Sequence, residues 1–350
     1  MTDTLSPRVA VIILGFNHRE QLSDAIDSVQ EQSYTNYQLF YIDNASSDDS
    51  ADFVRTHYPT VVVTANEKNL GYAGGYDIAI RNAFEQNFDT AVLLNPDTVV
   101  DTEWLSELVR SAYIDPNIAL AQSKILIWDN GKTDIINTFG NNIHFLGFGY
   151  CGHYKENDTF SEDIDIPYAS GASLLIKKEY YPSKIHFDTD YFAYLEDQDL
   201  GWQARIQGLR IIASAESKVW HKYDFQKKHL SNFKFYLLER NRLFFLTKFF
   251  SFKFLFLIFP AFLIMEFGVL FDSIFKGYFF RKLKAEWDFM KALQRLIQKR
   301  EAIQNTRTLS DTELFHFMSP TISFEEVNSP LLRIANSFLK GYYACIKHLI

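Results

Sequence analysis

The first half of the chain alternates short apolar runs with polar loops and amphipathic segments. Apolar runs at 9–14, 38–42, 61–64 and 91–94 predict four strands. Between the first two, Leu22, Ile26 and Val29 recur at helical spacing. Strands without apolar–polar alternation are typical of a parallel sheet that is covered on both faces. Strand–loop–helix units in succession therefore predict a doubly wound, mostly parallel α/β sheet with right-handed crossovers.

Further elements follow the same logic. The pattern predicts strands at 119–128 and 173–177 and a short one ending at His221. Helices are expected at 76–86, from about Thr102 onward, and at 198–207. Residues 129–142 are expected to be a polar loop. Residues 142–154, with three glycines and several aromatics, are expected to form a flexible hairpin near the acceptor.

The composition changes in the last third of the chain. Residues 222–300 contain 16 Lys or Arg and 6 Asp or Glu, a balance of +10, while the whole chain is at -8, so the remainder carries -18. Of the 33 Phe residues, 16 lie between 231 and 280. This contrast predicts three parts: a catalytic domain at 1–228, a basic aromatic helical segment at 229–300, and a linker with a C-terminal helix at 301–350.

Two interpretations of the basic aromatic segment are open. Its longest uncharged run, 254–265, is shorter than the roughly 20 residues that a spanning helix needs. Trp287, Met290, Leu293 and Ile297 share one face of a basic helix, a pattern typical of the membrane interface. The alternative is a helical domain packed on the body or a dimer interface. We expect peripheral attachment to a membrane surface, with the helix at 331–350 a candidate for oligomerisation or docking.

Charge and cysteine content limit the remaining choices. A net charge of -8 argues against a nucleic-acid binder. With only Cys151 and Cys345, a disulfide framework is not expected. The N-terminal residues lack a secretory pattern. We therefore expect a cytoplasmic protein at the inner face of the cell membrane.

Candidate chemistry follows the predicted strands. Asp43 stands directly at a strand end, where its carboxylate can accept the N3–H of a uracil or thymine ring. Asp97 follows the strand at 91–94, where ligands gather in open α/β sheets. Taken alone, a turn aspartate that caps the helix beginning near Thr102 is the favoured interpretation. The glycines of residues 66–75 precede a predicted helix and suit either a phosphate loop or a plain tight turn.

Glu196 and Asp197 form a second candidate site at the start of the helix predicted at 198–207. Acidic residues there also serve ordinary helix capping. His221 is a lone histidine at a strand end, and such residues are usually satisfied polar groups. Ser170 and Gly171 precede a strand, which a tight turn would explain as well.

The series VIILGFN, DNASSDDS, NLGYAGG and LLNPDT resembles the nucleotide-sugar half of family-2 inverting glycosyltransferases, which have the GT-A fold. The NPDT form is similar to the rhamnosyltransferase-like branch. The resemblance covers roughly residues 8–250. It implies a GT-A nucleotide-diphospho-sugar transferase domain with a helical, basic, aromatic-rich C-terminal extension.

The resemblance also implies roles for individual residues. The donor nucleotide would contact Asn17, Asp43, Asn69, Gly74 and Asn95. The sugar or acceptor would contact Ser170, Gly171 and Trp202. Asp97 and His221 would hold Mg²⁺ or Mn²⁺. Because Asn95 occupies the first acidic position of the family's DXD motif, metal affinity before donor binding should be weak.

In that family, one carboxylate of the pair that corresponds to Glu196 and Asp197 is the general base. We assign this role to Asp197 and expect Glu196 to position substrate. The cation would stabilise the departing diphosphate as a Lewis acid. A neighbouring carboxylate raises the pKa of the base and a helix N-terminus lowers it, and the sequence leaves the outcome open.

The resulting hypothesis is a metal-dependent inverting hexosyltransferase acting on a cell-surface glycan or lipid-linked acceptor. We expect dTDP-L-rhamnose as the donor first and a UDP-sugar second. A nucleotidyltransferase would share the early strands, but GFNHREQ lacks its Gly-rich, basic triphosphate loop. A catalytically silent glycan-binding or scaffold subunit of a polysaccharide synthesis complex also stays open, because the first acid of DXD is missing.

Overall fold

A computed structural model describes residues 6–223, 230–323 and 330–350. The domain boundary predicted at residue 228 lies outside them. The strands in chain order are β1 (Val9–Gly15), β2 (Tyr37–Asp43), β3 (Val62–Ala65), β4 (Thr90–Leu94), β5 (Thr98–Val100), β6 (Ile118–Trp128), β7 (Lys132–Thr138), β8 (Asn141–His144), β9 (Gly149–Cys151), β10 (Ile164–Asp165), β11 (Ser173–Lys177), β12 (Arg210–His221) and β13 (Met318–Ser319).

The helices alternate with the strands in the first half and dominate the second. In chain order they are α1 (Leu22–Gln30), α2 (Ser50–His57), α3 (Gly71–Glu85), α4 (Trp104–Tyr113), α5 (Glu196–Ile206), α6 (Asn232–Phe249), α7 (Phe252–Phe275), α8 (Phe279–Asn305), α9 (Asp311–Phe315) and α10 (Pro330–Ile346).

The main sheet has the strand order β10–β12–β6–β11–β4–β1–β2–β3, with β5 paired to β12 and β7 to β6. β1 pairs in parallel with both β2 and β4, and β6 pairs in parallel with β12. β11 is antiparallel to both of its neighbours, β4 and β6. The predicted mixed α/β architecture with a mostly parallel sheet is confirmed.

Both faces of the sheet are covered, as the unbroken apolar strands predict. In β1, Ala10 and Ile12 join an apolar cluster that includes Tyr76 of α3. Val11 and Ile13, which alternate with them, join the opposite cluster with α1, α2 and α4. Each fully buried large aliphatic side chain contributes about 1.5–3 kcal/mol. This burial fixes the strand ends that carry the polar residues.

Two predicted segments differ from the structure. α3 begins at Gly71, not at Tyr76, because the Asn69 side chain accepts a hydrogen bond from the Gly71 N–H at 2.8 Å and starts the helix earlier. Residues 129–142 contain β7, which pairs with β6, in place of the predicted loop. The burial of Ile136 and its neighbours explains the strand, which the polar composition had concealed.

The chain divides into two compact units. The first comprises residues up to 141 with 151–204 and 209–223, and it holds the main sheet. The second comprises 142–150, 205–208 and the residues from 224 onward. The second unit contains α6 to α10 and a small sheet in which β8 lies between β9 and β13.

α7 is longer than the sequence predicts. It continues through Pro260 and Glu266 over 24 residues, so the twelve-residue limit inferred from its uncharged run is wrong. Its length and composition alone would suffice to cross a membrane, and 17% of its apolar window is buried. A long buried helix of a soluble protein can meet the same length criterion, so this property is not proof of a span.

Candidate active site

The carboxyl ends of the parallel strands bring the predicted donor residues to one edge of the sheet. Gly15 of β1 is paired with Asp43 of β2, and Asp43 with Ala65 of β3. The Asn44 N–H donates to the Gly15 carbonyl at 2.8 Å and so joins the first two strand ends. Ligands of open α/β sheets bind at such an edge.

Asn17 and Asp43 are held by the same loop after β2. Asn17 has a left-handed backbone (φ 59°), and its side-chain oxygen accepts the Ser47 N–H at 2.8 Å. Asp43 is buried, and its carboxylate accepts from the Ser46 N–H at 3.0 Å and the Tyr41 hydroxyl at 3.3 Å. A carboxylate has about four acceptor positions, so Asp43 retains capacity for a ligand N–H.

Asn44 organises the donor loop, and the sequence analysis missed it. Its buried side chain donates to the Asn69 side chain and to the Gly71 carbonyl, both at 3.0 Å. Its side-chain oxygen accepts from Asn66 and from the Leu70 N–H, both at 3.1 Å. The only sequence signal was its position directly after Asp43, and a turn residue would look the same.

The start of α3 contacts the loop that precedes α5. The Ala73 N–H donates to the Phe192 carbonyl at 3.1 Å. Gly71 has φ +71°, and a Cβ there would lie 2.3 Å from the same carbonyl. At Gly74, a Cβ would lie 3.0 Å from the Leu70 Cβ. The glycines thus allow close packing here, and the N–H groups of Gly71 and Ala73 already have acceptors.

Asp97 and His221 are brought together by the pairing of β5 with β12. His221 is opposite Thr98 in that pair, and its Nε2 lies 3.2 Å from Asp97 Oδ1. Burial raises the pKa of the Asp97 carboxyl, but the His221 ring and the nearby His18 outweigh burial and lower it to about 2. Asp97 is therefore an anion at neutral pH.

These two side chains fit a cation that takes its other ligands from elsewhere. Within residues 6–223, 230–323 and 330–350, the buried His221 Nδ1 has no hydrogen-bond partner, so this ring is not a fully satisfied structural histidine. Among the residues that the structure describes, no group of three His, Cys, Asp or Glu side chains could hold a metal. A cation here would need phosphate oxygens and water in addition to one carboxylate and one imidazole.

Hydrogen bonds connect the turn at Asn95 to the acidic pair. The Asn95 N–H donates to the Ala172 carbonyl at 3.0 Å. One residue earlier, the Gly171 N–H donates to Asp197 Oδ2 at 3.2 Å. The Tyr72 hydroxyl donates to the Gly171 carbonyl at 2.6 Å. The strand β4 end, the turn at 170–172 and the start of α5 thus form one connected site.

Asp197 and Glu196 have different surroundings. Asp197 is partly exposed, and its Oδ1 also accepts the Gln198 N–H at 2.8 Å. Desolvation raises its pKa to about 6, against the lowering effect of the Gly171 and Gln198 N–H donors. Glu196 is buried, and its Oε2 has no hydrogen-bond partner in the described part of the chain. Burial, and next the Asp197 charge, raise the pKa of Glu196 well above its usual value.

The backbone before the acidic pair is in an uncommon conformation. Phe192, Tyr194 and Leu195 all have φ between 64° and 66°. Such left-handed residues other than glycine cost roughly 1–3 kcal/mol each and persist where the surroundings enforce them. The contact of Phe192 with α3 is one such restraint. This strain could not be predicted from the residue types, because none of the three is glycine or asparagine.

The predicted sugar-contact residues are placed differently from one another. The Ser170 N–H donates to the Gln122 side chain at 2.7 Å, and Ser170 stays partly exposed next to Gly171. Trp202 is fully buried in α5. The expected sugar contact of Trp202 is therefore corrected to a core position, which its place on the inward face of a helix explains.

Residues 10–182 match the sequence profile of the family described as Glycosyl transferase family 2. The match ends before Glu196, Asp197 and His221, so it does not include those three residues. A search of curated protein sequences found no match. The match covers just under half of the chain and supports the predicted transferase. It does not address a rhamnosyltransferase branch.

Solved structures support the same fold. GalNAc-T7 with UDP, GalNAc and Mn²⁺ is similar at 16% identity and a TM-score of 0.53, over 70% of this chain and 51% of that one. The match thus spans about half the length of that protein. TarS 1–349 of S. aureus in complex with UDP is similar at 15% identity and a TM-score of 0.52, over 97% of this chain and 90% of that one. At such identities the likeness concerns the fold alone.

Proposed function

We propose that this protein is a metal-dependent inverting glycosyltransferase that moves a hexose from a nucleoside diphosphate to a hydroxyl of a glycan or lipid-linked acceptor. The observation that carries the proposal is the contact of Asp197 with Gly171. The carbonyl of the next residue, Ala172, accepts the Asn95 N–H, so these contacts connect the acidic pair to the turn that follows β4. In this reading the turn binds the donor diphosphate and Asp197 faces the acceptor.

The chemistry needs one base and one leaving group. Asp197 accepts the proton of the acceptor hydroxyl while that oxygen bonds to the anomeric carbon. The bond between the anomeric carbon and the diphosphate oxygen breaks, and the nucleoside diphosphate leaves with the electron pair. Glu196, whose pKa burial and the Asp197 charge raise well above its usual value, positions substrate beside the base.

Asp97 and His221 would hold the divalent cation, which would supply Lewis-acid stabilisation of the leaving diphosphate. The separation of 3.2 Å between His221 Nε2 and Asp97 Oδ1 supports this assignment. The weak metal affinity predicted before donor binding follows from having one carboxylate. GalNAc-T7 was solved with Mn²⁺, which is compatible with the same choice of ion.

For the donor we propose dTDP-L-rhamnose first and a UDP-sugar second. Asp43 can accept the N3–H of either pyrimidine. Asn17, Asn69, Gly74 and Asn95 follow the carboxyl ends of β1, β3 and β4 in the chain, which supports their assignment to the donor. The two similar structures named above were solved with UDP, which fits a pyrimidine donor.

A donor panel tests the proposal. Purified protein is titrated calorimetrically with dTDP-L-rhamnose, UDP-sugars and a purine-diphosphate sugar, in Mn²⁺, in Mg²⁺ and with chelator. We expect one pyrimidine donor to bind, more weakly with chelator, and we expect Asp97→Asn to remove this metal dependence. An Asp101→Asn variant, which changes an acid outside the site, is the control. Folded protein that binds no donor would favour the silent scaffold subunit.

A further inference from the structure

The second unit exposes a long apolar face on α7. Every third or fourth residue along the helix is large, apolar and at least 39% exposed, which places these residues on one side. They are Phe252, Phe256, Phe259, Leu263, Phe267, Phe271 and Ile274. The two most exposed of these seven are Phe256 (80%) and Phe252 (78%). An ordinary water-facing helix does not carry such a stripe.

α8 carries a second apolar face with the same spacing. Its exposed members are Phe280, Leu283, Trp287, Met290 and Ile297. The sequence pattern predicted this face for residues 285–300, and the structure extends it to the start of α8 and adds the longer face of α7. Each of these faces is one that water alone would solvate poorly.

The charges around these faces have one sign. Between 252 and 300, each charged residue that is exposed is a cation: Lys253, Lys276, Arg281, Lys284, Lys291 and Arg295. The four acids of that stretch are all less exposed and ion-paired: Glu266, Asp272, Glu286 and Asp288. A bare apolar face with a cationic margin complements an anionic lipid surface better than another protein core.

The one acid in the middle of α7 faces inward. Glu266 contacts Arg242 of α6 and lies 2.6 Å from Lys282 of α8, both of which are buried. Glu239 completes the network, 2.6 Å from Lys282. These ion pairs connect α7 to the charged side chains Arg242 of α6 and Lys282 of α8. A spanning orientation would draw these charges and the α8 cations into hydrocarbon, which is costly.

We propose that α7 and α8 form a membrane anchor that lies in the plane of an anionic bilayer, with the exposed aromatic face of α7 inserted below the headgroups. The anchor does not cross the bilayer. It is independent of the sugar-transfer chemistry, and it gives a structural basis to the expected peripheral location at the inner face of the cell membrane.

Flotation with vesicles tests the anchor on the full chain. The protein is mixed with vesicles of phosphatidylcholine alone or with phosphatidylglycerol, at low and high salt. We expect binding to the anionic vesicles that weakens with salt. The variant Phe256→Gln with Phe267→Gln should reduce the partition coefficient at least about tenfold, because two Phe side chains leave the bilayer.

The matched control is Ile78→Gln with Ile114→Gln, which removes two exposed apolar side chains from the first unit without changing charge. It should float like the unchanged protein. Circular dichroism and donor titration check that both variants are folded. Equal flotation of the two double variants, or no flotation of the unchanged protein, would overturn the proposal. So would a dimer that Phe256→Gln with Phe267→Gln dissociates in the absence of lipid.

The depth of spin labels in the bilayer distinguishes an α7 that lies in the membrane plane from an α7 that spans the membrane. Cys151 and Cys345 are replaced by Ser, and a nitroxide label is attached to a cysteine at Phe256 or at Phe267. These positions are eleven residues apart, or about 16 Å along a helix axis. An in-plane helix predicts similar label depths by electron paramagnetic resonance. A depth difference approaching the full axial distance would contradict the in-plane orientation.

Discussion

At the residue scale, the adjacent Glu196 and Asp197 differ in what surrounds each carboxyl. Asp197 receives N–H groups from Gly171 and Gln198, whereas Glu196 Oε2 is buried without a partner. Burial raises the pKa of both, but the N–H donors hold Asp197 lower. Asp197 thus loses its proton more readily and is the carboxylate available to act as general base. The sequence predicted the pair but not this division, since both are merely acids at a helix start.

Substitution of each acid should separate their roles. Asp197→Asn should lower kcat by about 10²–10⁴-fold with donor affinity kept, because it removes the proton acceptor. Glu196→Gln should cost much less, because Gln resembles a protonated Glu in shape and can still donate. Initial rates and donor titration measure both. If Glu196→Gln abolished turnover and Asp197→Asn did not, the assigned base would be the wrong residue.

The raised pKa of Asp197 gives a pH dependence of known sign. A base must be deprotonated, so kcat/KM should be low in acid, rise with pH through about 6 and level off above it. A pH series at fixed metal concentration measures this, with donor binding followed separately to exclude loss of the donor. The residual activity of Asp197→Asn should lack the step near 6; a step that persisted there would belong to another group.

At the scale of elements, the start of α3 contacts the strained loop before α5 through the hydrogen bond from the Ala73 N–H to the Phe192 carbonyl. The loop carries the acidic pair, and α3 begins beside the donor loop, so this contact couples the two halves of the site. Long apolar runs predicted the strands well, because their burial is a property of the runs themselves. The start of α3 was misplaced because it depends on a side-chain contact from Asn69.

Gly71→Ala should damage this contact. Its backbone has φ +71°, and the new Cβ would lie 2.3 Å from the Phe192 carbonyl, so the loop must move. We expect a loss of about 1–3 kcal/mol in the free energy of unfolding, together with a fall in kcat. Urea denaturation and initial rates measure the two effects.

Gly75→Ala is the matched control for the same helix. Its Cβ would approach the Leu14 Cδ1 at 2.7 Å, the end of a flexible side chain rather than a backbone carbonyl, and Gly75 is not among the positive-φ glycines. This variant should retain activity, with a smaller effect on stability. If Gly71→Ala and Gly75→Ala reduced kcat alike, the contact with Phe192 would not be what positions the acidic pair.

At the scale of the whole molecule, sequence patterns anticipated the α/β unit better than the helical one. Continuous apolar runs in the sequence predict the strands of the α/β unit. In the helical unit, Glu266 ended the uncharged run and made α7 look short, although its charge is neutralised by Arg242 and Lys282 from other helices. Burial raises the pKa of Glu266, but these two cations outweigh it and lower it to about 2. Such compensation between distant residues is not visible in a local window.

This network should make the second unit sensitive to loss of a single buried cation. Lys282 is fully buried and lies 2.6 Å from both Glu239 and Glu266, so Lys282→Met leaves two buried carboxylates with Arg242 as their common partner. We expect a loss of about 3–5 kcal/mol. Lys276→Met breaks a half-exposed pair with Asp272 and should cost less than about 1 kcal/mol. Urea unfolding of both variants measures these losses, and donor titration reports whether the first unit stays folded. Equal losses of stability in the two variants would show that burial of the network is not what makes Lys282 important.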